Sequence, residues 1–373
     1  MGDRRFTLVH ITSSLKMGGA ETVLYNLVTA LGNQQFDHHV IYFYDGPFVD
    51  DLQLWGIKTY HIQGLFFRYD PVFFFRLTQC VKKINPDCIH SLLWAGNVTA
   101  RMVAQQLKIP CISVFHNPVD QDGKIRSLFD QMTIRHATQL VAVSDAVAES
   151  VRRRNRFMPA REVTVIPNGI DVHDIQKKVQ SSLISRYQLG LSEEHIVIGS
   201  VGRFELVKRY DLLLDSFVQV FQRIPYARLV LVGSGSHEQK LRDKAYDLGI
   251  TEAVIFVVGQ KAYGYYRLFD CFVQSSDSEG VSIALLEAMS CGLPVVVTAP
   301  EKKHPVITAH TDGFVVNPGD CDVLADVLCT IVSDKRLAQT VGDNARQTVV
   351  HEFNSDTMVH SYKNIIVSLC EKK

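Results

Sequence analysis

The chain has 373 residues, 39 basic and 39 acidic side chains, and 46% hydrophobic against 21% charged residues. At roughly 100–200 residues per domain this length holds two or three domains, and the apolar share excludes a disordered polypeptide. The zero formal charge argues against a dedicated nucleic-acid binder, whose surface carries a basic excess.

At the N-terminus, charged Asp3, Arg4 and Arg5 lead into only a short apolar run at 6–11, which is not the pattern of a secretory signal. No run approaches the about 18 apolar residues that span a bilayer, so the expected location is cytoplasmic. Apolar runs at 8–12, 40–44, 88–90, 111–115, 140–143 and 163–166 predict strands. Helical spacing at 21–31, 71–84, 97–107 and 145–153 fills the gaps. A polar stretch at 171–194, poor in periodic apolar residues, reads as a linker. The rhythm then restarts, with strands at 196–201, 228–232, 254–257, 271–274 and 295–298 and helices at 211–223, 238–248 and 282–291. This alternation predicts an α/β protein of two Rossmann-like domains facing an interdomain cleft, each with a parallel sheet covered on both faces. Its eight cysteines form no CxxC pair and lie mostly in apolar runs, so they read as buried reduced thiols.

Such domains hold ligands beyond the carboxyl ends of their strands, which directs attention to the polar and glycine-bearing segments placed there. The first, SSLKMGGAE at 13–21, puts Gly18 and Gly19 before a helix N-terminus, where N–H groups suit an anion. A plain turn accounts for that segment equally well. The second, SVGRFELVKR at 200–209, sets Arg203 and Lys208 beside Gly202. A fork and a point charge there suit a diphosphate, although a solvated loop carries such pairs too. The third, SSDSEGVSIALLEAMSCGLP at 275–294, holds Glu279 in a loop and Glu287 inside an apolar helix. An eight-residue offset on a helix limits the two carboxylates to about 12 Å, a spacing that suits two ends of one extended ligand. A carboxylate in the setting of Glu287 needs a partner.

These segments, with PDCIH at 86–90, PNGID at 167–171, GSG at 233–235 and DGF–NPGD across 312–320, resemble the family 4 glycosyltransferases of the GT-B fold, Glu279 and Glu287 matching the family's E-x7-E motif. The ordered set spans nearly the whole chain. The resemblance implies a retaining hexosyltransferase that needs no metal and no cofactor, with domains at 1–175 and 192–351 and a terminal helix, 352–373, that crosses back onto the first. Arg203 and Lys208 are implied to bind the donor diphosphate, Glu279 the sugar hydroxyls, and Glu287 the ribose. The backbone of Gly280, Val281 and Ser282 is implied to assist at the sugar and phosphate. Gly18 and Gly19 would approach the donor or acceptor, Gly202 the donor, Lys261 the nucleobase, and His116 the transferred sugar. The donor implied is a nucleotide-sugar, UDP-linked before GDP-linked. The acceptor is a glycan or lipid-linked glycan, in cell-surface polysaccharide synthesis.

Two features depart from the family pattern: GSGS at 233–236 stands for GDGP, and EKKH at 301–304 replaces a glycine-rich turn. Two literal DxD matches, Asp120/Asp122 and Asp320/Asp322, are read as chance rather than as a metal site. The phenylalanine-rich run at 65–77 with Arg68 and Arg76, together with Arg152–154, Arg156 and Arg161, reads either as core and solvated helix end or as a peripheral contact with an anionic membrane. Against the transferase stand two alternatives: a related epimerase or phosphorylase, and a non-catalytic sugar-nucleotide-binding protein.

Overall fold

The computed structural model describes residues 5–64, 71–120, 123–154, 162–277, 279–300 and 303–371. Contacts divide the chain into two units, Met1–Asn168 with Ser355–Lys373, and Gly169–Asn354.

In unit 1 the strands are β1 (Phe6–Ser14), β2 (Phe36–Tyr44), β3 (Lys58–His61), β4 (Cys88–Leu92), β5 (Cys111–Phe115), β6 (Gln139–Ala142) and β7 (Val163–Val165). They form one parallel sheet ordered β3-β2-β1-β4-β5-β6-β7. The crossovers are α1 (Gly19–Leu31), α2 (Phe48–Leu54), α3 (Pro71–Ile84), α4 (Trp94–Leu107), α5 (Lys124–Thr133) and α6 (Asp145–Arg154). Every residue of β4 and β5 is buried, and both strands are mostly apolar, as strands covered on both faces are. Helix α3 opens on Pro71, a residue whose missing N–H costs nothing at that position. Its Phe73, Leu77 and Val81 interlock with Val9, Ile11 and Ile41 to make the core on that face.

Unit 2 opens with α7 (Val172–Gln180) and continues through β8 (Ile196–Val201), α8 (Tyr210–Arg223), β9 (Ala227–Gly233), α9 (Glu238–Asp247) and β10 (Val254–Val258). Then come α10 (Tyr263–Tyr266), β11 (Cys271–Gln274), α11 (Ile283–Ser290), β12 (Val295–Thr298), β13 (Phe314–Val316), α12 (Cys321–Ser333) and α13 (Lys335–Glu352). Its parallel sheet runs β10-β9-β8-β11-β12-β13. The last helix, α14 (Ser355–Glu371), belongs to unit 1, where it meets α1 and β4 and buries Met358, Tyr362, Ile366 and Cys370.

One expectation is corrected. The polar stretch at 171–194 is not a bare linker, because α7 occupies its first half. Asp171 caps that helix by accepting from the Asp174 N–H at 2.9 Å, and Val172, Ile175 and Val179 line its buried face. The basic run at the end of α6 is also largely engaged. Arg154 lies nearly buried with its guanidinium 3.9 Å from Asp130, Arg153 pairs with Asp120 at 2.7 Å, and Arg152 donates to the Val163 carbonyl. Arg68, Asp70, Arg156 and Arg161 lie outside the described residues. None of the eight cysteines is in a disulfide, and four of them are buried. Among the described residues no helix is long and apolar enough to cross a membrane.

Candidate active site

Both sheets reverse their strand order once, between β1 and β4 in unit 1 and between β8 and β11 in unit 2. A crevice opens beyond the carboxyl ends of two such strands, because their connections leave in opposite directions. In unit 2 the two segments emerging there are 202–209 and 275–282, the second and third of those singled out in the sequence.

The structure ties these segments together. Lys208 ends a single 3-10 turn, Leu206–Lys208, and its Nζ donates to Glu279 Oε1 across 71 residues of sequence. Ser276 Oγ donates to the same oxygen at 3.0 Å, Ser275 Oγ donates to the Lys208 carbonyl at 2.8 Å, and the Asp277 N–H to the Val207 carbonyl at 2.9 Å. Arg209, which follows, is held at φ +48°, a left-handed backbone costly for a residue with a Cβ. Its guanidinium is anchored on Asp211 and, at 3.0 Å, on Asp277. Gly202 makes room for this arrangement, since a Cβ there would lie 2.9 Å from the Tyr210 hydroxyl and 3.4 Å from Lys208 Cε. The GSGS turn braces the segment from behind. Gly233 lies directly against the Gly202 carbonyl, and Ser236 gives both its N–H and its hydroxyl to Glu205. Those hydrogen bonds, with Arg203 nearby, bring the Glu205 carboxyl below its ordinary range although burial opposes it. Arg203 itself is exposed on the same segment.

Past Glu279, buried Val281 and Ser282 lead into α11, with Ser282 at the N-cap. Glu287 sits in the second turn of that helix, buried, and accepts from the Tyr266 hydroxyl at 2.6 Å. Burial pushes its carboxyl up to about 7, against the Tyr266 hydrogen bond and the field of Lys178. Glu279 and Glu287 thus keep separate partners. Exposed Lys261 lies between β10 and α10. In unit 1, Gly18 and Gly19 open α1 at the end of β1, and the Glu21 carboxylate folds back to 2.5 Å from where a Gly18 Cβ would stand. His116 follows β5, half-buried, with its Nδ1 shielded from solvent and burial lowering its ring to about 4.

A family model described as Glycosyltransferase Family 4 matches residues 17–174, and one described as Glycosyl transferases group 1 matches residues 182–348. The chain belongs to glycosyltransferase family 4. It is 22% identical over 384 residues to an Escherichia coli UDP-Gal:alpha-D-GlcNAc-diphosphoundecaprenol alpha-1,3-galactosyltransferase, covering 99% of this chain and 98% of that one. It is 23% identical over 305 residues to N-acetyl-alpha-D-glucosaminyl L-malate synthase of Bacillus anthracis, covering 80% and 78%. Among solved structures, Anabaena HepE in complex with UDP and glucose superposes with a TM-score of 0.86 at 20% identity, covering 98% of this chain and all of that one. The architecture is that of the GT-B glycosyltransferases.

Three residues of this glycosyltransferase's site escaped the sequence reading of single motifs. Arg209 only ends one of the segments, Tyr266 belongs to none of them, and His304 falls within EKKH, where the sequence departs from the family pattern. His304 Nδ1 accepts from the Val306 N–H at 3.2 Å, so the neutral ring carries its hydrogen on Nε2. That nitrogen is shielded from solvent, and burial lowers the ring to about 4 while Glu279 opposes the shift. Of the DxD residues, Asp320 caps α12, Asp322 accepts from Gln219, and Asp120 pairs with Arg153. Asp122 lies outside the described residues. A depression of about 360 Å³ lined by Gln139, Leu140 and Thr164 sits at the amino ends of β6 and β7, the wrong end of the sheet for this chemistry.

Proposed function

We propose that this glycosyltransferase moves a hexose or N-acetylhexosamine from a nucleotide-sugar, UDP-linked in the first instance, to a glycan or lipid-linked glycan with retention of anomeric configuration. The observation that carries this reading is the Lys208–Glu279 pair at the β8/β11 reversal, with Arg203 on the same segment. Each member holds the other in place until a donor arrives. A diphosphate then attracts Lys208 and Arg203, and the released Glu279 carboxylate accepts hydrogen bonds from sugar hydroxyls. In the transfer the bond from C1 to the leaving phosphate oxygen breaks, the acceptor oxygen bonds to C1 on the same face, and the acceptor proton passes to the departing diphosphate. Fixed cations at that diphosphate stabilise the charge it gains, often the largest catalytic contribution. Buried Glu287 binds the ribose hydroxyls, and His116 contacts the transferred sugar.

The likeness to relatives whose names carry UDP-Gal and UDP supports the uridine donor. Arg203→Ala and Lys208→Ala are each expected to cost about 2–4 kcal/mol in the chemical step. Wild-type turnover by the folded double variant would refute the assignment. A thermal-shift panel of UDP-, GDP- and ADP-sugars identifies the donor, since a ligand at 100 times its Kd stabilises by about 2.7 kcal/mol. The reaction runs without a metal or other cofactor, and activity lost to EDTA and restored by magnesium would reverse that.

The enzyme works in the cytoplasm, in polysaccharide or glycoconjugate synthesis, and touches an anionic membrane peripherally. Support comes from exposed apolar side chains on two helices that flank α4: Ile125, Leu128 and Met132 on α5, and Val72 and Phe75 on α3. Flotation with anionic liposomes, weakened by salt, is the expected result; no binding at low salt removes the idea.

A further inference from the structure

Tyr266 ends the short helix α10 and is completely buried. Its ring lies 6.1 Å from that of Phe269, nearly perpendicular to it, and 6.2 Å from that of Phe272 on β11. Helix α10 is itself held by α7 and the segment after it. Lys178 of α7 sits 4.9 Å over the Tyr263 ring, a Cβ at Gly264 would press on Ser182 Oγ, and Arg267 donates to the Ile184 carbonyl. A tyrosine so enclosed has one place to put its hydroxyl.

That place is α11. The hydroxyl lies 2.6 Å from Glu287 Oε2 and 3.3 Å from the Ala284 carbonyl, two groups three residues apart on one face of the helix. It carries a single hydrogen, and against an ionised carboxyl the nearer, charged acceptor takes it. The Glu287 carboxyl has no other hydrogen bond among the described residues, so Oε1 keeps its lone pairs open. An unheld glutamate samples several staggered rotamers, and a bond to a rigid partner selects one of them before any ligand arrives. The other groups facing this pair are Lys178 of α7, Tyr263 of α10, and Cys291 at the end of α11 with Arg346 of α13 beyond it. Burial keeps both the Tyr266 hydroxyl and the Cys291 thiol protonated through pH 9.

We propose that Tyr266 is a positioning residue for nucleotide binding: its hydroxyl holds Oε2 of Glu287 and so aims Oε1 at the ribose hydroxyls of the donor. The inference rests on the reading of Glu287 as the ribose contact.

Calorimetry of the full chain from pH 6 to 9 with UDP and with GDP, which share the ribose, tests it. Tyr266→Phe keeps the ring and removes the hydroxyl. It is expected to raise Kd about tenfold at pH 9, and to move the pH below which Kd climbs upward from about 7, because the lost hydrogen bond favoured the ionised carboxyl. Added to Glu287→Gln, the same substitution is expected to cost less than about twofold more. A tyrosine that only fills space would lower the melting temperature and leave that pH break where it was. Wild-type Kd and an unmoved break in folded Tyr266→Phe, beside a weakened Glu287→Gln, reject the role of Tyr266 alone. Wild-type Kd and slope in Glu287→Gln, or binding of neither nucleotide by the wild type, removes the ribose reading and the proposal with it. The wild type also supplies a test that needs no variant. With tyrosine 13C-labelled at Cζ, the Tyr266 hydroxyl hydrogen is expected as a slowly exchanging, downfield resonance that persists when UDP or GDP is bound, and its loss on nucleotide binding overturns the proposal.

Discussion

Glu287 is the residue with the clearest pH signature. Ribose hydroxyls donate to a carboxylate, so they favour the ionised form of a group that burial has raised to about 7. Nucleotide binding then releases a proton. Donor Kd is expected to be flat above that pH and to rise toward about tenfold per pH unit below it. Calorimetry across this window checks the slope; a pH-independent Kd in the wild type, or an unchanged slope in Glu287→Gln, refutes the assignment. The empty protein shows the opposite face of the same shift. An acid that holds its proton more tightly when folded adds stability below its unfolded value of 4.5, and that contribution is lost as pH rises toward about 7. The need of Glu287 for a partner was legible in the apolar stretch IALLEAMSCGL. The identity of the partner was not, because Tyr266 lies 21 positions earlier on a separate short helix. Lys208 and Glu279 make the same point over a longer distance: each was marked by its own motif, and only the sheet order joins them.

Elements that bury two faces were the readable ones. The strands β4, β5, β8 and β11 are mostly apolar and buried, because helices cover the sheet on both sides. Strand β3, KTYH, escaped because it is an edge strand that buries no residue fully. Helix α5 escaped because Ile125, Leu128 and Met132 point to solvent rather than toward a core. Helix α4 hides a different feature. Its Arg101 reads as an ordinary helix-surface arginine yet is completely buried, donating to Asp130 on α5 at 2.6 Å and to Ser113 on β5 at 2.9 Å, with Phe115 under its guanidinium at 5.2 Å. Two helices and a strand thus share one charge pair. Asp130→Ala leaves that guanidinium buried and unpaired, which is expected to cost about 3–5 kcal/mol in urea unfolding. A loss below about 1 kcal/mol would mean that the pair contributes nothing net.

For the molecule as a whole, connectivity matters more than any single contact. The chain leaves unit 1 after Asn168 and returns after Asn354, and the two passages run side by side, the Ile170 N–H donating to the Phe353 carbonyl at 2.9 Å. Truncation after Asn354 removes Met358, Tyr362 and Ile366 from the interior of unit 1. At about 1.5–3 kcal/mol for each large apolar side chain, that loss is comparable with the whole stability of a domain. The truncated protein is expected to lose the cooperative melting of unit 1 while unit 2 still takes up nucleotide. Full retention of both transitions would show α14 to be dispensable.

The placement of Tyr362 against His90 also sets an order of events during synthesis. A ribosome releases nearly all of unit 1 first, yet the helix that completes its interior is translated after the last residue of unit 2. Until then an apolar groove beside α1 and β4 stays open, exposed to chaperones and to other nascent chains, and unit 2 is free to mature ahead of the partner that precedes it.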